Sequence, residues 1–171
     1  DQYHTLLHPD TQIYSISNRG PSLFPMLLPT PSCVSINVRS LSIGQTGASA
    51  HRQAKVRNLI DNLLKRFDHV LLQEVKAASP EALVSFLKHF FPGVDVACSA
   101  LDQRSCGVAI LSSPDVCKHY RVVEFVPVEG SPIQGRAVTI HLLPKSHTNP
   151  SPYGVSSVYI SDASASSVSS R

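Results

Sequence analysis

A strand, helix, strand unit constrains the fold of this chain more than any other feature. Residues 33–38 alternate in the manner of a strand, and residues 49–67 follow with apolar side chains three and four positions apart on one helical stripe. Residues 69–74 then return as a second, largely apolar strand. A helical crossover places its two strands parallel in one sheet, so their carboxyl ends meet at the same edge. The unit therefore predicts that Asn37 and Glu74 lie on one edge.

A second helix and a series of short strands complete the pattern. The helix has Ser79 as its cap, followed by Pro80 and Glu81, and it ends before Pro92 and Gly93. Beyond it the apolar period changes to two, which predicts strands at residues 94–98, 106–111, 120–126, 136–143 and 155–160. Helices followed by successive strands predict the α+β class, with a mixed sheet and two helices.

The two ends of the chain lack the composition of a packed domain. Residues 1–31 hold prolines at positions 9, 21, 25, 29 and 31 and show no sustained apolar period, which predicts a disordered Pro-rich leader. Residues 161–171 are mostly serine and other small residues, which predicts a disordered tail. Residues 32–160 are expected to form a single domain.

Composition sets limits on partners and compartment. A formal charge of +3 neither demands nor excludes DNA or RNA, because phosphate affinity depends on local clustering of charge. The first helix begins with a basic cluster, which is either a solvated face or a phosphate contact. The cluster consists of His51, Arg52, Lys55 and Arg57.

No apolar run approaches the roughly 20 residues of a membrane helix, so no membrane is expected as a partner. The four cysteines lack metal-ligand spacing, which favours reduced thiols and a reducing compartment such as the nucleus or cytoplasm. The compartment itself and the oligomeric state stay open.

Three polar residues at the predicted sheet edge are candidates for chemistry. Glu74 carries a hard carboxylate ligand at a strand end, which suits Mg²⁺ or Mn²⁺. Asn37 can donate and accept hydrogen bonds beside a phosphate, and Lys76 is a candidate phosphate contact. Each also has an ordinary interpretation, Glu74 and Lys76 as solvated surface residues and Asn37 as a turn former.

These segments, in this order, resemble the amino-terminal part of the endonuclease/exonuclease/phosphatase superfamily, whose members have the deoxyribonuclease I-like fold. Ile36-Asn37-Val38 resembles the Asn motif that ends the family's first strand. Gln73-Glu74-Val75-Lys76 resembles the Gln-Glu motif that ends the second, most closely in abasic-site and retrotransposon-type endonucleases. Gly107-Val108-Ala109-Ile110-Leu111 is similar to the middle strand and Val158-Tyr159-Ile160 to a later one. The similarity runs from residue 33 to residue 160.

The resemblance implies a partial deoxyribonuclease I-like α/β sandwich whose carboxy-terminal half is missing from this chain. It implies that Asn37 and Glu74 are catalytic residues: Glu74 as the metal ligand, for Mg²⁺ or Mn²⁺, and Asn37 as a residue that forms hydrogen bonds in the active site. The implied activity is metal-dependent hydrolysis of a phosphodiester in DNA or RNA.

Two departures from the family pattern bear on activity. Residues 103–106 lack the tyrosine that abasic-site enzymes often place before the middle strand, which favours a retrotransposon-type or generic phosphodiesterase. The family's Asp-x-Asn motif and terminal Asp-His pair have no counterpart in the chain, so the sequence identifies no general base. Whether the chain is an enzyme is therefore open. A non-catalytic remnant that binds nucleic acid or protein is one alternative, and a phosphatase of phosphoinositides or small phosphoesters is another.

Overall fold

A computed structural model describes residues 13–16, 31–41, 43, 48–101, 107–146 and 151–160. Within these residues the chain forms three helices and eight strands. The helices are α1 (Ala48–Leu64), α2 (Pro80–Phe90) and α3 (Pro114–His119). The strands are β1 (Ile13–Ile16), β2 (Cys33–Asn37), β3 (His69–Gln73), β4 (Asp95–Ser99), β5 (Val108–Ser112), β6 (Tyr120–Phe125), β7 (Ala137–Pro144) and β8 (Tyr153–Val158).

The larger sheet has five strands in the order β1-β2-β3-β5-β4. Its strands β2 and β3 are parallel and are joined through α1, which confirms the predicted strand, helix, strand unit. Cys33 pairs with His69 at one end of the two strands, and Asn37 pairs with Gln73 at the other. The other pairs, β1 with β2, β3 with β5 and β4 with β5, are antiparallel. The two parallel strands therefore end together at one edge of a mixed sheet.

Helices α1 and α2 cover one face of this sheet. Their apolar stripes bury Ile60 and Leu87 against Ile36 and Leu72 of the sheet, all fully buried. Burying an aliphatic side chain of this size contributes about 1.5–3 kcal/mol, so this layer supplies much of the stability. Helix α2 begins at its predicted cap, where the Ser79 hydroxyl oxygen accepts a hydrogen bond from the amide of Ala82 at 3.2 Å.

A three-stranded antiparallel sheet, in the order β6-β7-β8, covers the other face. Its inward residues Val138, Ile140 and Leu142 pack with Val108 and Ile110 of β5 in a second core cluster. Strand β5 is buried at every position because it is covered on both faces, by helices on one side and by the smaller sheet on the other. The architecture is an α/β sandwich of three layers.

Two elements correct the sequence prediction. The predicted sandwich with a mixed sheet is confirmed, but it has three helices where two were expected, because residues 114–119 form a short helix that the apolar period does not reveal. The predicted leader, residues 1–31, contains strand β1, which forms because the outer edge of β2 offers an antiparallel partner. The rest of the leader up to residue 30, like the predicted tail at 161–171, lies outside the described residues.

The predicted strands of the site also end earlier than expected. Strand β3 ends at Gln73 and β2 at Asn37, so Glu74 and Val38 follow their strands. None of the helices in the described part of the chain combines the length and the apolar character needed to cross a membrane.

Candidate active site at the carboxyl ends of the parallel strands

Asn37 and Glu74 are in direct contact at the carboxyl ends of β2 and β3. The Asn37 side-chain amide donates to Oε1 of Glu74 at 2.7 Å, which confirms the prediction that the two residues share one edge. Tyr159, which follows β8, donates its hydroxyl to the same oxygen at 2.8 Å. We call Asn37, Glu74 and Tyr159 the Glu74 cluster. Two strands of the larger sheet and the end of the smaller one thus converge on a single carboxylate oxygen.

The backbone at this edge adopts conformations that L-residues rarely take. Arg39, Ser40, Glu74 and Lys76 have positive φ angles of 53°, 122°, 54° and 50°, the four non-glycine residues in the described chain that do. Each such residue is disfavoured by about 1–3 kcal/mol and persists only where the surrounding structure holds it in place. The four strained residues all lie in the segments that directly follow β2 and β3, and strain of this kind concentrates at functional sites.

Hydrogen bonds join the segment that follows β2 to the segment that follows β3, and they hold this strained backbone in place. The Val38 amide donates to the Gln73 carbonyl at 3.0 Å, and the Leu41 amide donates to the Val75 carbonyl at 3.2 Å, which continues the pairing past the strand ends. The Val75 amide donates to the Gly107 carbonyl at 3.1 Å. A Cβ atom at Gly107 would lie 2.6 Å from Cγ2 of Val75, and the φ of Gly107 is +86°. Only glycine fits there, and it lets the loop that carries Glu74 pack closely.

The electrostatic environment keeps Glu74 ionised. Partial burial by itself raises the pKa of this carboxyl, but the hydrogen bonds that Asn37 and Tyr159 donate lower it. The positive charges of Lys76 and Arg39 lower it further, and the net pKa lies below its ordinary value. Glu74 is therefore a carboxylate at neutral pH, with 20% of its side chain exposed.

Cations line the exposed side of the cluster. Lys76 Nζ lies 3.9 Å from Oε2 of Glu74, and its side chain is 35% exposed, which places it where a bound phosphate could be reached. Arg39 is exposed, and its amide donates to Oδ1 of Asn37 at 3.0 Å. A phosphate at this edge would thus meet a carboxylate with cations beside it.

The basic cluster at the start of α1 was interpreted either as a solvated face or as a phosphate contact. Two of its residues instead make contacts within the fold. Arg52 donates to the carbonyl of Val38 at 3.3 Å, and the guanidinium of Arg57 lies 4.0 Å from the centre of the Phe90 ring. His51 and Lys55 are exposed. Two of the four predicted basic residues therefore stabilise the packing of α1.

Tyr159 is the site residue that sequence reasoning did not assign. Its sequence signal is a position near the end of a predicted strand, within the segment Val158-Tyr159-Ile160 that resembles a later strand of the family. Its contact with Glu74 spans 85 positions in the chain and depends on how the smaller sheet is laid on the larger one. The Tyr159 amide donates to the Arg136 carbonyl at 2.7 Å, which extends the β7–β8 pairing by one step and holds the backbone of Tyr159 beside the larger sheet's edge, where its hydroxyl reaches Glu74. Residues 103–106, where the missing tyrosine was noted, lie outside the described residues.

The donor set at Glu74 fits the divalent metal that the family resemblance implies. Oε1 accepts two hydrogen bonds, from Asn37 and Tyr159, and Lys76 Nζ lies 3.9 Å from Oε2. Mg²⁺ commonly takes one or two protein carboxylates and completes its coordination with water and substrate phosphate. No group of three or more His, Cys, Asp or Glu side chains that could hold a metal forms within the described ranges. Glu74 would thus be the protein ligand of an ion that also needs water and phosphate.

The fold defined by these layers is the deoxyribonuclease I-like α/β sandwich. Among solved structures it is similar to the AP endonuclease LMAP from Leishmania major, with a TM-score of 0.52 and 17% sequence identity. The similarity covers 75% of this chain and 40% of that endonuclease, so the chain spans less than half of its length. No protein-family model matches the chain. No curated protein matches its sequence either.

Proposed function

We propose that this chain is a metal-dependent phosphodiester hydrolase that acts on nucleic acid, with the Glu74 cluster as its active site. The observation that carries the proposal is the single carboxylate held by Asn37 and Tyr159 at the carboxyl ends of parallel strands. In α/β sheets this edge is where ligands bind. The similarity of the fold to an AP endonuclease supports nucleic acid as the substrate.

Each residue of the site would have a distinct role. Glu74 would hold Mg²⁺ or Mn²⁺ through Oε2, since its other oxygen is already occupied. Asn37 and Tyr159 would fix the orientation of the carboxylate. Lys76 would contact the phosphate, and its charge offsets the charge that builds up on the phosphate oxygens. When bound, the metal would supply a Lewis acid that polarises the phosphate.

Within nucleases, the segment Gln73-Glu74-Val75-Lys76 is similar to both abasic-site and retrotransposon-type endonucleases, and the absence of a tyrosine favours a retrotransposon-type or generic phosphodiesterase. The four residues before Gly107 lack the tyrosine typical of abasic-site enzymes, and this argues against that specialised substrate. We therefore expect cleavage of ordinary DNA to exceed cleavage at abasic sites.

One observation favours a second candidate, a module that binds nucleic acid without cleaving it. The groups that act on Glu74 by hydrogen bond or charge are an amide, a phenol, an ammonium and a guanidinium, which leaves the attacking water without an evident base among the described residues. The same edge would still bind phosphate through Lys76. The two candidates differ in turnover and share the binding site.

Cleavage of supercoiled plasmid in Mg²⁺ tests the proposal, with DNA binding measured on the same samples. Glu74→Gln keeps an oxygen for Asn37 and Tyr159 but removes the charge, so we expect it to abolish metal-dependent cleavage. Asp61→Asn, an exposed carboxylate on α1 paired with Lys65, is the matched control and should cleave like the original chain. DNA binding without turnover that weakens in Lys76→Ala would support the binding module. Cleavage that survives Glu74→Gln would contradict the proposed active site.

A further inference from the structure

A second concave site lies at the opposite end of the strands from the Glu74 cluster. Asp95, the first residue of β4, pairs with Ser112, and Ser112 pairs with His69, the first residue of β3. The starts of β4 and β6 and the end of β7 surround a cavity of about 400 Å³ there. Five residues of strand, about 17 Å, separate this end of β3 from the Glu74 end, so the two sites are distinct.

Three basic side chains from three different elements line this cavity, which we call the basic pocket. Lys88 comes from α2, Arg121 from β6 and Lys145 from the segment after β7, and all three are exposed. Lys145 Nζ donates to the Cys117 carbonyl at 2.6 Å, which holds its charge at the pocket. The side chains of Lys88 and Arg121 make no hydrogen bond or ion pair with any other residue in the described ranges.

The basic pocket has less negative charge than positive charge. Asp95 is the acidic residue among those that line it, and its Oδ1 accepts a hydrogen bond from the amide of Val96 at 2.9 Å. Three positive groups therefore face one carboxylate that is already hydrogen-bonded. Like charges gathered in one concavity repel each other, and an anion between them relieves that repulsion.

The rest of the lining supports reversible binding of a small molecule. Val94 and Val122 give the pocket apolar walls beside its basic rim. The Cys117 thiol donates to the Ser112 carbonyl at 3.6 Å, and burial raises its pKa, so the thiol stays protonated and is no nucleophile at neutral pH. The volume falls within the range of about 300–1,000 Å³ that is typical of small-molecule sites.

We propose that the basic pocket binds the phosphate group of a small phosphorylated molecule. A phosphate presents several oxygens at once, so it can contact the two lysines and the guanidinium of Arg121 together. The apolar walls beside the cations would accept the organic part of such a molecule. This binding is independent of the active site proposed at Glu74.

Calorimetric titration of the full chain at low salt tests this site with two probes. Inorganic pyrophosphate tests the phosphate contacts alone, and adenosine 5′-monophosphate tests a phosphate that carries an organic group. Binding of pyrophosphate alone would identify an inorganic ligand, whereas tighter binding of the nucleotide would identify an organic one, and either result supports the phosphate site. Failure of both probes to bind at millimolar concentration would overturn it.

Variants connect the binding to the pocket. The double variant Lys88→Ala/Arg121→Ala removes two exposed side chains, and we expect it to fold normally by circular dichroism and to bind about tenfold or more weakly. Lys65→Ala removes an exposed lysine that directly follows α1 and should leave affinity within about twofold, as surface charges far from a ligand are screened. Equal loss in Lys65→Ala, or full affinity in the double variant, would each overturn the proposal.

Discussion

Strand β3 connects two polar clusters that differ in almost every respect. At its carboxyl end the Glu74 cluster is charged, partly exposed and surrounded by strained backbone. At its amino end His69 is fully buried and lies between the two sheets. One of its ring nitrogens, Nδ1, is 3.1 Å from the Ser112 hydroxyl, and the other, Nε2, is 2.8 Å from the hydroxyl of Tyr153 in β8. We call His69, Ser112 and Tyr153 the His69 cluster.

The two clusters show how burial and available partners separate a structural group from a site that can bind a ligand. Both use a tyrosine from β8 or its end, Tyr153 in one and Tyr159 in the other. In the His69 cluster both ring nitrogens have a neutral partner, and burial lowers the pKa of His69 to about 4 although the charge of Asp68 raises it. In the Glu74 cluster the carboxyl group is held charged by its hydrogen bonds and by the positive charges of Lys76 and Arg39, and it is partly exposed. The His69 cluster stabilises the packing of the sheets, whereas the Glu74 cluster has capacity left for a ligand.

Removal of the buried ring should have the largest effect on stability. His69→Ala leaves a cavity and two hydroxyl groups without partners, and we expect a loss of about 3 kcal/mol in the free energy of unfolding. Urea denaturation followed by circular dichroism measures it. His51→Ala, at an exposed position on α1, should change stability by less than about 0.5 kcal/mol. A similar small change in both variants would contradict the role of the His69 cluster in packing.

Acidification should weaken the same packing over a defined range of pH. The pKa of His69 is 6.5 in the unfolded chain and about 4 when folded, so the unfolded state binds the proton more readily. Stability is therefore complete above about pH 6.5 and falls as the pH drops toward 4, by up to about 3 kcal/mol. Glu74 contributes to stability at lower pH. Its pKa is lowered from 4.5 in the folded chain, so its contribution is lost only as the pH falls below that value.

Unfolding free energies measured between pH 7 and pH 4 test this titration. The slope should be present in the original chain and largely absent in His69→Gln, which cannot gain a proton. An equal slope in the two proteins would assign the acid sensitivity to other groups.

A methyl group at Gly107 should disturb the loop that carries Glu74. Gly107→Ala introduces both a positive-φ strain and a clash with Val75, and we expect a loss of about 2 kcal/mol or more. Gly130→Ala is the matched control, because Gly130 has a φ of +79° but nothing lies within 4 Å of the place that its new methyl group would take. It should lose only about 1 kcal/mol. Equal losses would show that the contact between Gly107 and Val75 is unimportant.

Much of this arrangement follows from the sequence, and the exceptions have physical reasons. The apolar spacing of residues 49–67 and the crossover rule predicted α1, the parallel strands and the proximity of Asn37 to Glu74. Helix α3 spans six residues, too few for a period to show, although Ser113-Pro114-Asp115 repeats the cap signal of α2. The contact of Tyr159 with Glu74 could not be predicted, since it depends on the way two sheets pack. The catalytic roles of Asn37 and Glu74, the metal-binding role of Glu74 and the phosphate contact of Lys76 stay predictions.

The smallest predicted effect on stability comes from removing the hydroxyl of Tyr159, and comparison with Tyr153 shows which tyrosine acts on Glu74. Tyr159→Phe removes one hydrogen bond to Glu74, so the pKa of that carboxyl should rise, with a loss of stability of about 1 kcal/mol. Tyr153→Phe removes the corresponding bond to His69 and should leave the pKa of Glu74 unchanged. Carboxyl-carbon NMR titration of Glu74 measures both. An unchanged Glu74 pKa in Tyr159→Phe would show that the Tyr159 contact does not hold the carboxylate.

The most direct test of the account is a Mg²⁺ titration of the isotopically labelled chain, with the Asn37 side-chain amide and the His69 backbone amide followed by NMR. If the Glu74 cluster is the metal site, the Asn37 signal shifts and saturates, the His69 signal does not, and the shift disappears in Glu74→Gln. An Asn37 signal that never saturates, or that shifts equally in Glu74→Gln, would contradict a metal site at Glu74.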